Sequence, residues 1–252
     1  MKTINQLEVA SSIARLRSLN PGNKSHWNIR WQPVCASTES SLTNWLYDQP
    51  LLLDEQRAFF ASSQTNGFGQ QGKVWQSPIG GVWVSAAFPI AIKKLGAGVL
   101  GLALAVALVE RLELQGISSK IKWPNDVMVD GRKLAGLLPR LVIRGNQIRF
   151  ARIGLGLNVS NVVPPEGIQL IEICKDVNCK VEFWSSEVLM AIDKVIDTVE
   201  KTEWICRRAE EYLWAEEVID SDTKEVWRVL GIENNGALKL GKGNLVKICS
   251  RW

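Results

Sequence analysis

Alternating and continuous apolar runs divide the first third of the chain into short strands and one helix. The run WQPVCA from Trp31 predicts a strand, and the STES that follows predicts a helix start, because Ser and Thr hydroxyls cap free backbone N–H groups. We expect this helix to run through residues 42–47. Residues 57–63 form a second strand-like run, and GVWVSAAF predicts a third strand in which Val82 and every second residue after it share one face.

The longest apolar run, Leu95 to Val109, predicts a buried helix over residues 95–114. The run carries three glycines, which allow a neighbouring element to approach closely, and Gly116 is a suitable C-cap. It is shorter than the roughly 20 residues that cross a bilayer, so we expect no membrane span. Residues 185–214 repeat apolar positions at helical spacing and predict one or two further helices.

Turn signals between apolar runs predict an antiparallel meander in the second half of the chain. Asp130-Gly131 separates IKWPNDVMV from KLAGLLPRLVIR, and Gly145-Asn146 separates the latter run from QIRFARIGLGLNV. Residues 163–181 show little pattern and are expected to form a loop. The last segments, EVWRVLGIENNGALKL and NLVKICSRW, predict a small β-barrel or hairpin domain.

These elements predict an α+β fold with a mixed or antiparallel sheet, rather than a doubly wound parallel sheet, because hairpins join many of the strands. We expect an N-terminal leader at residues 1–30, a catalytic domain at residues 31–214 and a small β domain at residues 215–252. The 252 residues are 46% hydrophobic and 22% charged, a composition that is typical of a globular protein and excludes disordered and fibrous classes.

Charge and rare residues narrow the chemistry. The net charge of +4 is spread along the chain, which argues against a nucleic-acid surface. The N-terminus has no basic patch followed by an apolar stretch, so we expect a cytoplasmic protein rather than a secreted one. Five cysteines without a C-x-x-C pair and a single histidine, His26, argue against a structural zinc site. We therefore expect catalysis to depend on lysine, aspartate, asparagine and backbone N–H groups.

A glycine-rich loop, Gly67 to Lys73, is the first candidate binding element. Its glycines allow the backbone to approach a phosphate or another buried ligand and to donate N–H groups to it. The spacing G-x-G-x-x-G also occurs in dinucleotide-binding folds, but there a helix follows the loop. Here KVWQSP leads to another strand, so the loop indicates a ligand contact without identifying the ligand.

Three later segments carry polar groups next to strand ends. In KWPND, Lys122 can neutralise a phosphate, and Asn125 and Asp126 offer oxygen ligands to a Mg²⁺-bound nucleotide; a β-turn with solvated charges is the alternative. Lys133 begins an apolar strand, so its ammonium group points either to a ligand or, as a snorkelling side chain, to solvent. The segment GLGLN, which ends at Asn158, fits a backbone beside a ligand, or a simple bulge or turn.

Taken together and in this order, the segments resemble the biotin–protein ligase family. The shared features are the Ser-Thr helix start, Q-T-x-G-x-G-x-x-G-[RK]-x-W-x-S-P, K-W-P-N-D, G-R-K-L-A-G and G-x-G-x-N, from about Val34 to Asn158. GIENNGAL, at residues 231–238, resembles the family's C-terminal SH3-like domain more weakly. The resemblance implies the catalytic fold that biotin ligases share with class II aminoacyl-tRNA synthetases. The short leader implies the monofunctional form, which lacks the DNA-binding domain of the ligase-repressors.

The resemblance also implies an activity. Members of the family form biotinyl-5′-AMP from biotin and ATP with Mg²⁺, and then transfer biotin to a lysine of a carrier such as the biotin carboxyl carrier protein of acetyl-CoA carboxylase. The expected protein has no nucleic-acid or membrane partner and is a monomer or a homodimer. Lys133 and Lys122 match the catalytic positions, and residues 67–73 match the segment that folds over the intermediate and excludes water.

Individual positions acquire binding roles from the family motifs. The positions that match the biotin site are Ser37, Thr38, Glu39, Gln64, Gly67, Phe68, Gly69, Gln70 and Lys133. The positions that match the ATP and Mg²⁺ site are Gln70, Lys73, Lys122, Asn125, Asp126 and Asn158, with Asp126 as the metal contact beside the nucleotide.

Three of these positions depart from the family pattern. Phe68 and Gln70 stand in a loop that usually reads G-R-G-[RQ], so the chain lacks the charge-assisted contacts of an arginine. Glu39 replaces the common asparagine and places a negative charge near the ligand. Two alternatives stay open: a biotin- or biotinyl-adenylate-binding protein with impaired catalysis, and a ligase-type relative that acts on lipoate or octanoate.

Overall fold

The computed structural model describes residues 27–90, 95–173, 179–220 and 223–250. His26 and most of the predicted leader lie outside these residues. Within them the chain forms two β-sheets and five α-helices, and a few loops connect these elements.

The strands and helices have the following bounds. The strands are β1 (Trp27–Cys35), β2 (Gln56–Gln64), β3 (Val82–Phe88), β4 (Lys120–Lys122), β5 (Asp126–Val129), β6 (Arg132–Arg144), β7 (Gln147–Leu157), β8 (Glu217–Ile219), β9 (Val226–Ile232), β10 (Leu238–Lys242) and β11 (Leu245–Cys249). The helices are α1 (Thr38–Asp48), α2 (Ala97–Glu113), α3 (Leu170–Ile173), α4 (Val181–Thr198) and α5 (Thr202–Glu211), with a 3-10 turn at Gln70–Gly72.

The larger sheet has seven strands in the order β1-β2-β3-β7-β6-β5-β4. Strands β1 and β2 are parallel, with helix α1 as their crossover, and every other neighbouring pair in this sheet is antiparallel. The predicted meander is confirmed as β4 to β7. The sheet is therefore mixed, and the chain has the predicted α+β fold. Strand β1 begins at Trp27, earlier than the predicted start at Trp31.

Helix α1 begins where the Ser-Thr signal predicts. Ser37 is its N-cap in an extended conformation, and the Ser37 hydroxyl accepts a hydrogen bond of 3.2 Å from the backbone N–H of Glu39. The helix starts before the predicted range of residues 42–47. Its first turn is polar and therefore carries no amphipathic pattern, although the Ser37 cap marks its start. Its buried residues Leu42 and Trp45 pack on one face of β2 and β3.

The main core lies on the other face of the sheet, beneath α2, α4 and α5. Helix α2 is buried along most of its length, and Gly101 permits the predicted close approach, since a Cβ there would lie 3.0 Å from Cγ of Pro139. Strand β3 is buried on both faces, because α1 covers the face opposite this core. Among the described residues, no helix combines the length and the apolar character needed to span a bilayer.

Two predictions about the second half of the chain have different outcomes. Helices α4 and α5 confirm the helical periodicity in residues 185–214. The expected loop at residues 163–181 contains one short helix, α3, because a single turn is too short to produce a periodic signal. The boundary at residue 215 between the two predicted domains stays a prediction.

The predicted C-terminal β domain is a four-stranded antiparallel sheet with the order β11-β10-β9-β8. Its β9-β10 turn packs on the first turn of α2, where the carbonyl oxygen of Asn235 would lie 3.2 Å from a Cβ at Gly96. Gly236 has a φ of +84°, and a Cβ there would lie 2.9 Å from the backbone nitrogen of Val99. Glycine at these positions therefore lets the small sheet approach the start of helix α2 closely.

Candidate functional site

A cavity of about 450 Å³ opens over the strands β3, β6 and β7. This volume lies in the range of small-molecule sites, roughly 300–1,000 Å³. The structure brings nearly all of the predicted site residues to its wall: Ser37, Thr38, Glu39, Gln64, Phe68, Gly69, Gln70, Lys73, Lys122, Asn125, Asp126, Lys133 and Asn158.

Gly67 is the one predicted site residue that does not line the cavity. It packs behind the wall, where a Cβ would lie 2.6 Å from the carbonyl oxygen of Trp75 and 2.7 Å from the hydroxyl oxygen of Ser77. Gln64 Nε2 would be 2.9 Å away. Gly67 therefore allows tight packing beneath the loop and has no wall contact in this conformation.

The cavity has two ends, which we name by their most characteristic elements. Along β7, Gly154 lies beside Glu39, with 3.5 Å between a Cβ at Gly154 and Oε1 of Glu39; this is the α1 end. Just after β7, the Asn158 side chain donates to the carbonyl oxygen of Lys133 at 3.3 Å, which defines the lysine end. Asn158 follows Gly154 by four positions along an extended chain, so the two ends of the cavity lie roughly 13 Å apart.

A connected set of side chains forms the α1 end. Gln64 Oε1 accepts hydrogen bonds from the backbone N–H of Thr38 at 2.7 Å and from the Thr38 hydroxyl at 3.1 Å. Gln64 Nε2 donates to the Ser77 hydroxyl at 2.7 Å, and the hydroxyl oxygens of Thr38 and Ser85 lie 2.9 Å apart. Since each group holds its neighbour, donors and acceptors are fixed at this end before a ligand arrives.

Glu39 carries a compensated charge rather than an isolated one. It is 5% exposed, and Nη2 of Arg152 donates to its Oε2 and to its carbonyl oxygen, each at 3.0 Å. Arg140 lies further away, with 4.0 Å between Nε and the same Oε2. Glu39 thus places its negative charge at the cavity wall, and two strands supply arginines that lie beside it from far along the chain.

The glycine loop, residues 67–73, forms a narrow two-stranded turn at the cavity mouth. Gly69 N–H donates to the carbonyl oxygen of Lys73 at 2.8 Å, and Phe68 and Val74 form an isolated antiparallel bridge. Gln71 and Gly72 have φ values of +56° and +73°, so the turn uses left-handed backbone, as the glycine content predicts. Lys73 is exposed, and Phe68 faces the cavity.

Trp75 packs against two glycines of the cavity floor. Gly136 and Gly156 pair directly across β6 and β7; Cβ atoms there would lie 2.9 Å from Trp75 Cζ3 and 2.3 Å from Trp75 Nε1, respectively. Lys133 Nζ sits 4.9 Å from the centroid of the Trp75 ring. Sequence reasoning missed the role of Trp75. The available signal was the tryptophan of the K-x-W-x-S-P segment together with paired glycines in two other motifs.

The lysine end contains an ion pair. Lys133 Nζ lies 2.8 Å from Oδ1 of Asp126, and the Lys133 side chain is 30% exposed, so Lys133 points into the site rather than to bulk solvent. Asn125 Nδ2 donates to the carbonyl oxygen of Leu137 at 2.8 Å. The KWPND segment is thus both a structured turn and part of the cavity wall, which combines the two readings that its sequence allows.

Two further predicted residues complete this end. Lys122 is exposed, and its Nζ lies 5.6 Å from the centroid of the Trp214 ring. Asn158 is buried, and its Oδ1 accepts a hydrogen bond of 3.1 Å from Asn161 Nδ2. Lys122 and Lys133, together with Lys73 of the glycine loop, outnumber the two carboxylates of this part of the wall, Asp126 and Glu166, so the lysine end favours an anionic ligand.

A metal ion at this site would depend on its ligand. Within the described ranges, no three His, Cys, Asp or Glu side chains lie close enough to hold a metal. Asp126 and Glu166 are the acidic residues of the cavity wall near Lys133, and Mg²⁺ in nucleotide sites is held by one or two carboxylates plus phosphate oxygens. The donor set therefore suits a nucleotide-bound Mg²⁺ and not an independent metal site.

Residues 33–158, which supply almost the whole cavity wall, match the biotin/lipoate A/B protein ligase family. The chain belongs to this family. The match ends at Asn158, so the family region contains both ends of the cavity and the glycine loop between them.

Individual relatives cover part of the chain. The bifunctional ligase/repressor BirA of Bacillus subtilis is 38% identical over 102 residues, which are 40% of this chain and 31% of that protein. The biotin–[acetyl-CoA-carboxylase] ligase of Paracoccus denitrificans is 32% identical over 103 residues, which are 40% of this chain and 43% of that protein. The chain thus spans less than half the length of these curated family members.

Solved structures match over a longer range. The biotin protein ligase of Aquifex aeolicus, in complex with biotin and ATP, has a TM-score of 0.70 and 24% identity over 88% of this chain and 94% of that chain. A point mutant of the same Aquifex aeolicus protein, in complex with biotin, has a TM-score of 0.69 and 26% identity over 88% of this chain and 94% of that chain. The match to these structures therefore extends beyond residues 33–158, the part of this chain that the family match covers.

Proposed function

We propose that this protein activates biotin with ATP to form biotinyl-5′-AMP, and transfers biotin to a specific lysine of a biotin carrier protein in the cytoplasm. The observation that supports this function best is that one cavity has two chemically different ends. The α1 end offers fixed hydrogen-bonding groups, and the lysine end offers positive charge. Biotin has a ureido ring at one end and a carboxylate at the other, and ATP adds phosphates beside that carboxylate.

In the first step, the biotin carboxylate attacks the α-phosphorus of ATP, the P–O bond to the leaving group breaks, and pyrophosphate departs. The carboxylate is already ionised at neutral pH, so this step needs no general base. It does need cations that offset the charge of the carboxylate and phosphates as they approach. Lys133 stands 4.9 Å over Trp75 in the cavity and Lys122 lies at its edge, so we assign both to this task.

We assign Asp126 as the residue that would hold a Mg²⁺ ion arriving with ATP. When bound, the ion would neutralise phosphate charge and orient the leaving group. Lys133 Nζ lies 2.8 Å from Oδ1 of Asp126. In the complex with ATP, Lys133 would pair with the phosphates, and the Asp126 carboxylate would be available to a nucleotide-bound Mg²⁺.

The glycine loop has the position expected for a cover over the intermediate. Biotinyl-5′-AMP is a mixed anhydride that water hydrolyses, so the site gains from exclusion of water until the carrier lysine arrives. Phe68, Gly69 and Gln70 line the cavity from this loop. Phe68 contributes an apolar surface rather than a cation at this position, and we infer that the loop acts here by shielding.

In the second step, the ε-amine of the carrier lysine attacks the acyl carbon of the anhydride. An amide bond forms, the bond from the acyl carbon to the phosphate oxygen breaks, AMP departs, and the amine loses a proton to solvent. We propose the biotin carboxyl carrier protein of acetyl-CoA carboxylase as the carrier. The name of the Paracoccus denitrificans relative supports this choice.

The alternatives have less support from the geometry. Lipoate and octanoate have no ureido N–H groups and would offer no donor to Oε1 of Glu39, which is buried without a hydrogen-bond partner among the described residues. A binding protein with impaired catalysis was suggested by Phe68 and by the charge of Glu39, and that charge is compensated by Arg152. The residues that we assign to the first step, Lys122, Lys133 and Asp126, all line the cavity.

One experiment separates these functions. The purified full chain is mixed with ATP, Mg²⁺ and a biotin carrier domain, and both pyrophosphate release and carrier labelling are measured with biotin, lipoate or octanoate. Biotin-dependent pyrophosphate release with carrier labelling is the expected result. Pyrophosphate release without labelling would indicate a protein that performs the first step alone, and no response to biotin would contradict the proposal.

A further inference from the structure

Two arginines face each other across the strands β6 and β7 next to the α1 end of the cavity. Arg140 and Arg152 are directly paired in the β6-β7 register. Like charges in direct cross-strand positions destabilise a sheet unless an opposite charge lies between them. Glu39 supplies that charge, with its Oε2 3.0 Å from Arg152 Nη2 and 4.0 Å from Arg140 Nε.

The two arginines are not equivalent. The Arg152 side chain is 13% exposed, whereas the Arg140 side chain is 50% exposed and lies with its Cζ 6.0 Å from the centroid of the Phe68 ring. Nη2 of Arg152 donates to Glu39 Oε2, to the Glu39 carbonyl oxygen and, at 2.7 Å, to the hydroxyl oxygen of Thr43. A single guanidinium group therefore ties the first turn of α1 to strand β7.

That first turn carries the residues of the α1 end. Ser37 caps it and Thr38 begins it, and both line the cavity. Glu39 lines the cavity as well, and its second carboxylate oxygen, Oε1, is buried without a donor in the described part of the chain. A buried carboxylate oxygen without a donor carries a free-energy cost, which a ligand N–H at this wall would remove.

We propose that Arg152 is a positioning residue for the ligand head group. It neutralises Glu39, fixes the α1 turn that presents Ser37 and Thr38, and orients Oε1 of Glu39 to accept a hydrogen bond from an N–H of the head group. Because this role presupposes the biotin-binding function proposed above, the ligand class is a ring that carries N–H donors, which a cyclic urea does and a dithiolane does not. Arg152 lies outside every motif of the family resemblance.

The test compares binding at the two ends of the cavity in the full chain. Isothermal titration calorimetry measures the affinity for biotin and, separately, for a non-hydrolysable ATP analogue. Arg152→Met is expected to weaken biotin binding about 10- to 100-fold, the effect of losing charge-assisted hydrogen bonds, and to change binding of the ATP analogue by less than about 3-fold. Arg140→Met is the matched control, and its exposed position predicts a change in biotin affinity of less than about 3-fold.

A rescue variant separates positioning from simple stability. Glu39→Gln combined with Arg152→Met removes both buried charges, so its biotin affinity is expected to return to within about 5-fold of that of Glu39→Gln alone. If Arg152→Met does not fold, Arg152→Lys retains the charge with fewer hydrogen bonds and should weaken biotin binding to an intermediate degree. Thermal unfolding of every variant is recorded beside the affinities.

Several outcomes would overturn the role of Arg152. These are unchanged biotin affinity in Arg152→Met or Arg152→Lys, equal losses for biotin and the ATP analogue, and no rescue in the double variant. Unaltered protein that binds biotin without forming biotinyl-5′-AMP would contradict the proposed enzyme while leaving the Arg152 comparison valid. Unaltered protein that binds no biotin would contradict both.

Discussion

The indole nitrogen of Trp123 donates a hydrogen bond of 2.9 Å to the carbonyl oxygen of Gly236. Trp123 lines the cavity between Lys122 and Asn125, whereas Gly236 belongs to the β9-β10 turn of the small sheet. The same segment is held from the other side, because Ile121 exchanges backbone hydrogen bonds of 2.7 and 2.9 Å with the chain at residues 212–214. The lysine end of the cavity is thus fixed by the C-terminal sheet and by the chain that leads to it.

Trp123→Phe keeps an aromatic side chain at this position but removes the indole N–H and its hydrogen bond. We expect the free energy of unfolding to fall by about 1 kcal/mol, with a rise in KM for ATP and little change in KM for biotin. Steady-state pyrophosphate release and urea unfolding measure these quantities. Trp27→Phe is the control, since it removes an indole hydrogen bond of 3.0 Å to Asp193 away from the cavity. Equal effects of both variants on KM for ATP would refute the link between the sheet and the site.

Two of the lysines in the family motifs, Lys133 and Lys73, should differ in importance. Lys133 pairs with Asp126 and stands over Trp75, whereas Lys73 is exposed on the glycine loop. We expect Lys133→Ala to lower kcat/KM for biotin activation by about 100-fold, the usual effect of removing a group that stabilises transition-state charge. Lys73→Ala should cost less than about 5-fold, because an exposed charge is screened by solvent. Comparable losses in the two variants would disprove the assignment of Lys133.

Replacement of Gly156, which lies against Trp75 on the cavity floor, tests whether Trp75 belongs to the ligand wall. In Gly156→Ala, the new Cβ would lie 2.3 Å from Trp75 Nε1, so the indole must move. We expect a loss of about 1–3 kcal/mol in the free energy of unfolding and at least roughly tenfold weaker biotin binding. Gly98→Ala is the control, because its nearest neighbour, the carbonyl oxygen of Asn235, is 3.6 Å away. Full biotin affinity in Gly156→Ala would show that Trp75 is not part of the ligand wall.

Ionisation of the Tyr212 phenol is expected to lower the stability of the fold at alkaline pH. Burial and its hydrogen bond of 2.8 Å to Glu113 raise the pKa of Tyr212 from 10 to about 12. The folded state therefore holds this proton more tightly than the unfolded state does. Its contribution to the free energy of unfolding is fully present below pH 10 and is lost as the pH rises towards about 12.

Two variants isolate this effect. The chain has two tyrosines, so Tyr47→Phe leaves Tyr212 as its sole phenol, and an ultraviolet absorbance titration of that variant reports the Tyr212 pKa directly. The free energy of unfolding in denaturant is measured between pH 9 and 11, within about one unit of the usual tyrosine pKa, and its decline over this range should be smaller in Tyr212→Phe than in the unaltered protein. A Tyr212 midpoint near 10 in the folded Tyr47→Phe variant would contradict the prediction.

Local signals in the sequence predicted most of the elements. The Ser37 cap, the hairpin turns and the apolar run of α2 each depend on residues close together in the chain, and each was confirmed. The start of β1 at Trp27 was missed, because the polar Asn28 and Arg30 interrupt its apolar residues. On an edge strand such polar side chains face solvent, which the sequence does not reveal.

The contacts between residues of the site were harder to predict from the sequence than the residues themselves. Family motifs identified the residues of the wall, but Glu39 and Arg152 are 113 residues apart and meet only because α1 packs on β2 and β3, and β7 is the next strand of the sheet. The stacking of Trp75 on Gly136 and Gly156 likewise requires the β6-β7 register. Such contacts depend on strand order, which hairpin signals do not determine for β1, β2 and β3.

The ion pair of Glu39 and Arg152 also restricts the order in which this site can change by mutation. Two of the three hydrogen bonds of Arg152, to the Glu39 carbonyl oxygen and to Thr43, do not involve the side chain at position 39. These two bonds would hold Arg152 beside a neutral residue at 39, but its charge would then be unpaired and would lie opposite Arg140. A buried Glu39 without Arg152 would be uncompensated as well, so either single replacement passes through a destabilised protein and we expect the two positions to change together.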